Sequence, residues 1–298
     1  MSEANSSNKG FKLENLFSVK DRVALITGGG SGIGLMATQA LATNGAKVYI
    51  CGRTGEKLDK VVELYGKDIP GQIIPLQADI TRKDSIRELV KEVEKREKCL
   101  CILINNAGIE LNTQQTEAET TKEMSKNLFE DENETFELWA DTFKTNAAQL
   151  FFMTTAFLPL LQNASEMHHG YSGTVINITS ISGVVKTSQH HFAYNTSKAA
   201  AIHLNTMLSN EVAMNGFKVR INGVAPGVFP SEMTAGESGG DQKSFIPKEK
   251  YESKTPARRP GKETDMANAI LFAATNQYLN GQNIIVDGGY VIQAGGGP

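Results

Sequence analysis

Of the chain's 298 residues, 40% are hydrophobic and 21% charged, the balance of a soluble globular protein, and the length suits one α/β domain with insertions. A net charge of −3 gives no long-range attraction to nucleic acid or an anionic membrane; no apolar run approaches the roughly 20 residues that cross a bilayer, and the first twenty residues lack the apolar core of a signal peptide. The three cysteines, Cys51, Cys99 and Cys101, are an odd number with two in strand-like runs, so buried free thiols in a reducing, cytoplasmic compartment are expected rather than a disulfide or a metal site.

Residues 1–20 read as a polar lead-in, and a single domain is expected over 21–298. Val23 to Thr27 is a short apolar run stopping at glycines, hence a buried strand. A helix is predicted from about Gly32 to Asn44, closed by Gly45. Strands follow at Lys47–Cys51, Gln72–Ala78 and Leu100–Ile104. Helices are expected at Glu56–Tyr65 and at Ser85–Glu97, where Ile86, Leu89, Val90 and Val93 share a face. The segment 110–137 is acidic and lacks an apolar period, so it reads as a loop insertion with one short helix near Glu123–Leu128. A long amphipathic helix is predicted over about Glu134–Leu161, then a strand at Thr174–Ile178, a helix at Tyr194–Met214 and a strand at Val219–Ala225. Segment 229–255 is Gly/Ser/Lys-rich and aperiodic; a helix at Asp265–Thr275 and a strand at Asn283–Val286 close the order. Strands alternating with helices imply right-handed βαβ units. The fold class is therefore α/β, a Rossmann-type doubly wound parallel sheet of about seven strands with helices on both faces.

Thr27-Gly28-Gly29-Gly30-Ser31-Gly32-Ile33-Gly34 joins the first strand to the first helix. Glycines there let backbone approach a pyrophosphate, whose charge the helix N-terminus stabilises; a ligand-free tight turn is the plain alternative. No Gly-Lys-Ser/Thr closes the loop, so it is not a P-loop. At the end of the second strand, where an NAD-preferring site offers a carboxylate, stand Gly52 and Arg53. A guanidinium there suits the 2′-phosphate of NADP(H), unless Arg53 is only a solvated surface residue.

Ser180 follows the fifth strand, and Tyr194-Asn-Thr-Ser-Lys198 opens the next helix. Residues four apart share a helical face. A neighbouring cation favours phenolate, so Lys198 is expected to lower the pKa of Tyr194 from its usual value of about 10. With the glycine loop and Asn105-Asn-Ala-Gly108 in place, the chain resembles the single-domain short-chain dehydrogenase/reductase family over about Asp21–Val291. The motifs fall in family order: Thr27–Gly34, Ala78-Asp79-Ile80, Asn105–Gly108, Asn146, Ser180, Tyr194 with Lys198, Pro226-Gly227 and Asp287-Gly-Gly289.

The resemblance implies roles. Gly28, Ser31, Gly32, Ile33 and Gly34 would cradle the pyrophosphate. Asp79, with Ile80, would meet the adenine, and Asn106, Ala107 and Gly108 the adenosine and its ribose. Lys198 would hold the nicotinamide ribose, Tyr194 would be general acid or base, and Ser180 would hydrogen-bond the substrate oxygen. Asn146 would support a proton relay to Lys198, and Pro226, Gly227, Val228 and Ser231 would touch the nicotinamide. Thr179 or Ser182 could instead supply the hydroxyl, since the interval from Ser180 to Tyr194 is about one residue longer than usual. Asp79 could instead cap a helix, Asn146 could be a surface amide, and His190 and His191 are expected in solvent. Leu138, Phe143, Leu150, Phe151, Phe152, Phe157 and Leu158 exceed one core face of the long helix, and the resemblance implies a homodimer or homotetramer through it. Segment 229–255, with Gly236, Gly239 and Gly240 and few apolar anchors, is expected to be a mobile lid. The function implied is NADP-dependent hydride transfer between nicotinamide and a ketone or secondary alcohol. The stretch Pro226–Thr234 is similar to 3-oxoacyl reductases and reductases of fungal secondary metabolism. An NAD-linked alcohol dehydrogenase, a sensor without chemistry and a scaffold recruited for a non-redox step are the alternatives.

Overall fold

The computed structural model describes residues 8–294. Positions 1–7 of the expected lead-in and 295–298 of the expected domain therefore lie outside the described residues. A helical turn, α1 (Leu13–Leu16), precedes the sheet. The order is then β1 (Val23–Thr27), α2 (Gly32–Ala42), β2 (Lys47–Gly52), α3 (Gly55–Tyr65), β3 (Gln72–Gln77), α4 (Lys83–Glu94) and β4 (Ile102–Asn105). The second half runs α5 (Thr121–Phe129), α6 (Phe136–Phe143), α7 (Gln149–Met167), β5 (Gly173–Ile178), α8 (Phe192–Met214), β6 (Val219–Pro226), α9 (Glu232–Ala235), α10 (Glu263–Thr275), β7 (Asn283–Val286) and α11 (Tyr290–Gln293).

All seven strands are parallel, in the order β3-β2-β1-β4-β5-β6-β7. Successive side chains alternate between faces, and both faces are covered. Ala24, Ile26, Ile102 and Ile104 pack with Leu35 and Leu41 of α2, Leu58 of α3 and Met266 and Ile270 of α10. Leu25 and Leu103 pack on the other side with Ile86 and Leu89 of α4, Met153 and Phe157 of α7 and Leu208 of α8. Two-sided burial is why the strands read as unbroken apolar runs. Pro75 lies in β3, an edge strand, where a missing N–H is tolerated.

Two expectations change. The helix predicted over Glu134–Leu161 is broken: α6 passes through a wide π-helical turn, Lys144–Ala148, into α7, which continues to Met167 through Pro159. The turn is wide because it buries Asn146, whose side chain must reach the loop after β4. The helix within 110–137 is longer than expected, with Thr120 capping it by accepting from Glu123 N. Among the described residues no helix is long and apolar enough to cross a membrane.

Candidate active site

The strand order reverses beside β1, whose neighbours are β2 and β4. In such sheets a crevice opens there beyond the carboxyl ends of the strands. A cleft of about 410 Å³ occupies that place, running from Arg53 past the glycine loop to Ser180, Tyr194 and Lys198.

Its floor is the β1–α2 turn. Gly28 has φ +66°, a left-handed conformation that a side chain would strain. A methyl on Gly34 would sit 2.1 Å from the Gly28 carbonyl oxygen, so Gly34 does not line the cleft; it lets the helix pack onto the turn. The Asn106 amide donates to the carbonyls of Thr27 (2.9 Å) and Gly28 (3.2 Å), and Thr27 Oγ1 accepts from the N–H groups of Asn106 and Ala107. The side chain of Asn106 thus ties the two strand ends together. Ser31 makes no side-chain cap at the start of α2, and Ser31, Gly32 and Ile33 face the cleft.

Gly52 and an exposed Arg53 close one end of the cleft, with Thr54 and Lys57 beside them. Asp79 and Ile80 line the same end. Burial pushes the Asp79 carboxyl up, but hydrogen bonds from Thr81 with Arg53 and Lys144 nearby outweigh it and hold it below the usual range. Its Oδ1 accepts from Thr81 N (2.9 Å) and Thr81 Oγ1 (2.7 Å), a local turn; the N-cap of α4 is Arg82, so Asp79 does not cap that helix.

At the other end, α8 presents Tyr194 and Lys198 toward Ser180. Lys198 is 4% exposed, and its Nζ donates to the Ile178 carbonyl at 3.1 Å. Nζ lies 5.6 Å from the Tyr194 ring centroid. Burial lowers Lys198 to about 8. The expected depression of Tyr194 is not found: burial pushes its phenol up to about 12, the Ser180 hydroxyl pulls it down, and the Glu110 carboxylate raises it further. Desolvation of the phenolate dominates, and the buried Lys198 does not offset it.

The three candidate hydroxyls separate by partner. Thr179 Oγ1 is consumed by Val224 O (3.0 Å) and Asn283 Oδ1 (2.7 Å), and Ser182 Oγ donates to Gln189 Oε1 (2.8 Å). Ser180 Oγ accepts from Ser182 N at 3.1 Å and is the hydroxyl that acts on Tyr194. Asn146 does not line the cleft. Its Oδ1 accepts from Ile109 N (2.8 Å), and its Nδ2 donates to Ile109 O (2.8 Å) and Ser197 Oγ (3.0 Å), pinning the cleft wall to α8. Pro226, Gly227 and Ser231 line the cleft. Val228 lines a neighbouring cavity with Ala257 and Asp287.

His191 is not left in solvent, and His190, its side chain 42% exposed, is nevertheless tied down. His190 Nδ1 is 2.9 Å from Thr116 Oγ1, and its carbonyl accepts from Gln114 N at 2.8 Å. His191 Nδ1 is 3.0 Å from Asn112 O and 3.2 Å from Glu110 Oε1. Gln189 and His190 both have positive φ, 51° and 69°, a strained pair for non-glycine residues. The insertion therefore docks on the turn before Tyr194, which sequence reading missed because the partners stand some 75 residues apart. Segment 229–255 is also anchored more than expected. Phe229 and Ile246 are buried, Lys57 pairs with Glu232 across the cleft at 2.7 Å, Lys243 pairs with Glu263 at 2.7 Å, and Tyr65 donates to the Asp241 carbonyl at 2.6 Å. A methyl on Gly32 would lie 2.9 Å from Ser231 Cβ, so this segment rests on the glycine loop.

A profile of the short chain dehydrogenase family matches residues 22–241. The chain belongs to that family. Its relatives include the short-chain dehydrogenase/reductase PhomF of Diaporthe leptostromiformis, 38% identical over 285 residues, covering 92% of this chain and 93% of that protein. The rhamnolipids biosynthesis 3-oxoacyl-[acyl-carrier-protein] reductase of Pseudomonas aeruginosa is 32% identical over 276 residues, covering 92% and 98%. Among solved structures, the Pseudomonas aeruginosa RhlG/NADP active-site complex superposes with a TM-score of 0.73 at 28% identity, covering 92% of this chain and 98% of that one. The short-chain dehydrogenase fold and the class of oxidoreductase follow. The family shares the nicotinamide cofactor, and the cleft fits one: a glycine-cradled helix N-terminus lies between a cationic end and a Tyr–Lys end.

Proposed function

We propose that this chain is an NADP-dependent carbonyl reductase or alcohol dehydrogenase that interconverts a ketone and a secondary alcohol. The observation that carries the reading is the single cleft joining Arg53, which follows a strand that offers no carboxylate of its own, to the Ser180–Tyr194–Lys198 group. The bound nicotinamide supplies or accepts the hydride. Ser180 donates a hydrogen bond to the substrate oxygen, and Tyr194 protonates that oxygen in reduction or deprotonates the alcohol in oxidation. Lys198 orients the nicotinamide ribose and, when charged, eases proton movement at Tyr194. Asn146 acts as a positioning residue, since it holds Ile109 and Ser197 in register. The partner is a small carbonyl or alcohol molecule, bounded by 110–137 and 229–255. The deciding assay is NADPH consumption across a panel of ketones, including 3-oxoacyl thioesters; no turnover with any would count against the reading.

Cofactor choice rests on Arg53. NADPH is expected to bind more tightly than NADH, and Arg53→Asp to reverse or abolish the difference, because a carboxylate repels the 2′-phosphate that a guanidinium attracts. Fluorescence titration of both cofactors measures it; equal affinities unchanged in the variant would refute the assignment.

The chain is further proposed to assemble as a homodimer or homotetramer through α7. Leu150 and Phe157 are buried in the protomer, but Phe151 is 45% and Phe152 38% exposed on the same helix, and Phe152 has Lys83 of α4 over its ring. Light scattering at micromolar concentration is expected to give a multiple of 32.3 kDa; a clean protomer mass overturns the assembly.

Segment 229–255 is proposed to close over the nicotinamide, with Lys57–Glu232 as its latch. Lys57 and Ser238 hold Glu232 ionised, and Ser31 at the pyrophosphate end is a further partner. A carboxylate beside an incoming pyrophosphate is repulsive. Glu232→Gln is expected to speed hydrogen exchange over 229–255 and to tighten NADPH about fivefold, roughly 1 kcal/mol for a partly exposed charge, with the gain shrinking as salt rises. Unchanged exchange and affinity would show that the pair is no latch.

A further inference from the structure

At the opposite end of the sheet, where the strands begin, the fold gathers a second group of side chains. Cys99 and Cys101 lie just before β4, and His168 directly follows α7; their ligand atoms all lie within 4.8 Å of one another. Cys99 Sγ is 3.9 Å from His168 Nε2. On a tetrahedral zinc ion, with bonds of about 2.3 Å to sulfur and about 2.0 Å to nitrogen, those two atoms would stand about 3.6 Å apart. That pair needs to close by a few tenths of an ångström, and no pair in the group by more than roughly 1.3 Å.

We propose that Cys99, Cys101 and His168 bind a thiophilic divalent cation of the zinc class, with water as fourth ligand. Two sulfurs and an imidazole suit zinc and not the oxygen-seeking magnesium or calcium. The ligands are also held from outside, as ligands of a built site are. Tyr171 donates to the Cys101 carbonyl at 3.0 Å, and its ring stands edge-on to the imidazole with centroids 6.0 Å apart. Arg22 lies 4.2 Å over that same ring. Both thiols are free, and none of the three residues lines the catalytic cleft. On binding, one divalent cation enters and two thiol protons leave to solvent. Net charge in the pocket is unchanged, so Arg22 meets no added positive charge. Half-exposed His168 gives the ion its way in, while Cys101 is fully buried. The ion would tie the start of β4 to the α7–β5 connection and leave the carboxyl-end chemistry alone.

The test uses the full-length protein, reduced, stripped with chelator and titrated anaerobically with cobalt(II), then zinc(II). One equivalent of cobalt is expected to produce a thiolate-to-cobalt charge-transfer band with the visible bands of a tetrahedral site, and zinc to bleach both. His168→Gln and Cys99→Ser should each weaken zinc, measured against a chromophoric chelator, by more than about a hundredfold, since even the outer partners of a ligand are worth about 10- to 100-fold. Unchanged NADPH affinity in the same variants shows that they are folded. Absence of the charge-transfer band in the wild type, full binding retained in the His168→Gln and Cys99→Ser double variant, or a Cys99–Cys101 disulfide that forms equally with and without zinc would each overturn the proposal.

Discussion

Replacing Tyr194 with Phe is expected to slow ketone reduction by about 10²–10⁴-fold while NADPH affinity stays near wild type, because the change removes only the proton donor. The phenol is the acid form at any working pH, with its pKa pushed up to about 12 by burial, so reduction always finds it protonated. Oxidation needs the phenolate and should rise with pH over the range in which reduction does not. Ser180→Ala should cost about 10²–10³-fold in turnover through loss of one hydrogen bond to the developing oxyanion, again with cofactor affinity preserved. Single-turnover rates with NADPH, beside fluorescence titration of the cofactor, separate the two quantities. Wild-type rates for Tyr194→Phe where chemistry limits would end the proposed mechanism.

Lys198 is expected to behave differently on three counts. Lys198→Met should lower turnover and NADPH affinity together, since the ammonium serves both. It should also stabilise the cofactor-free fold. The buried lysine falls from its ordinary 10.5 to about 8, a gap of about 3 kcal/mol. The sign follows from proton binding. Below about pH 8 the lysine is charged both folded and unfolded, and the fold bears the whole desolvation cost. Between 8 and 10.5 the unfolded chain binds more protons, so stability rises with pH. Above 10.5 the cost is gone. Chemical denaturation at pH 7 and at pH 9.5 should therefore find the variant's advantage large at the first and smaller at the second. For the wild type, kcat/KM in reduction reports the free enzyme and should fall above about pH 8 as Lys198 loses its charge. A variant no more stable at pH 7, with a flat alkaline limb in the wild type, would contradict this account of the lysine.

Much of this was legible in the residues, for identifiable reasons. Strands such as Val23–Thr27 and Asn283–Val286 are short, apolar and bounded by glycine or polar turns, so their limits show directly. The cleft's residues fall at strand ends and helix starts, which a linear reading can place. What failed was governed by distant partners. Nothing local marks the π-helical turn at Lys144–Ala148, whose residues keep ordinary helical dihedrals at either end; its cause is Ile109, on another element. The anchoring of 229–255 depends on Lys57 and Tyr65, some 175 residues away. Tyr194 was misjudged because counting a nearby cation says nothing of how dry the cation's own surroundings are.

The strand order also sets a sequence of assembly. β1, β2 and β3 are neighbours in that order, so the Arg53 end of the cleft can begin to form while the chain is still emerging; β4 then adds to the free side of β1, and β5, β6 and β7 each extend the newest edge. No strand has to be threaded between two already paired. Once β3 is in place the growing sheet keeps two open edges, the hazard of a slowly built parallel sheet: that of β3, which carries Pro75, stays an edge, and the other is covered by the next strand to be synthesised. Ser180, Tyr194 and Lys198 all come after β5, so a chain halted before them would hold part of the cleft and none of the groups proposed to move a proton.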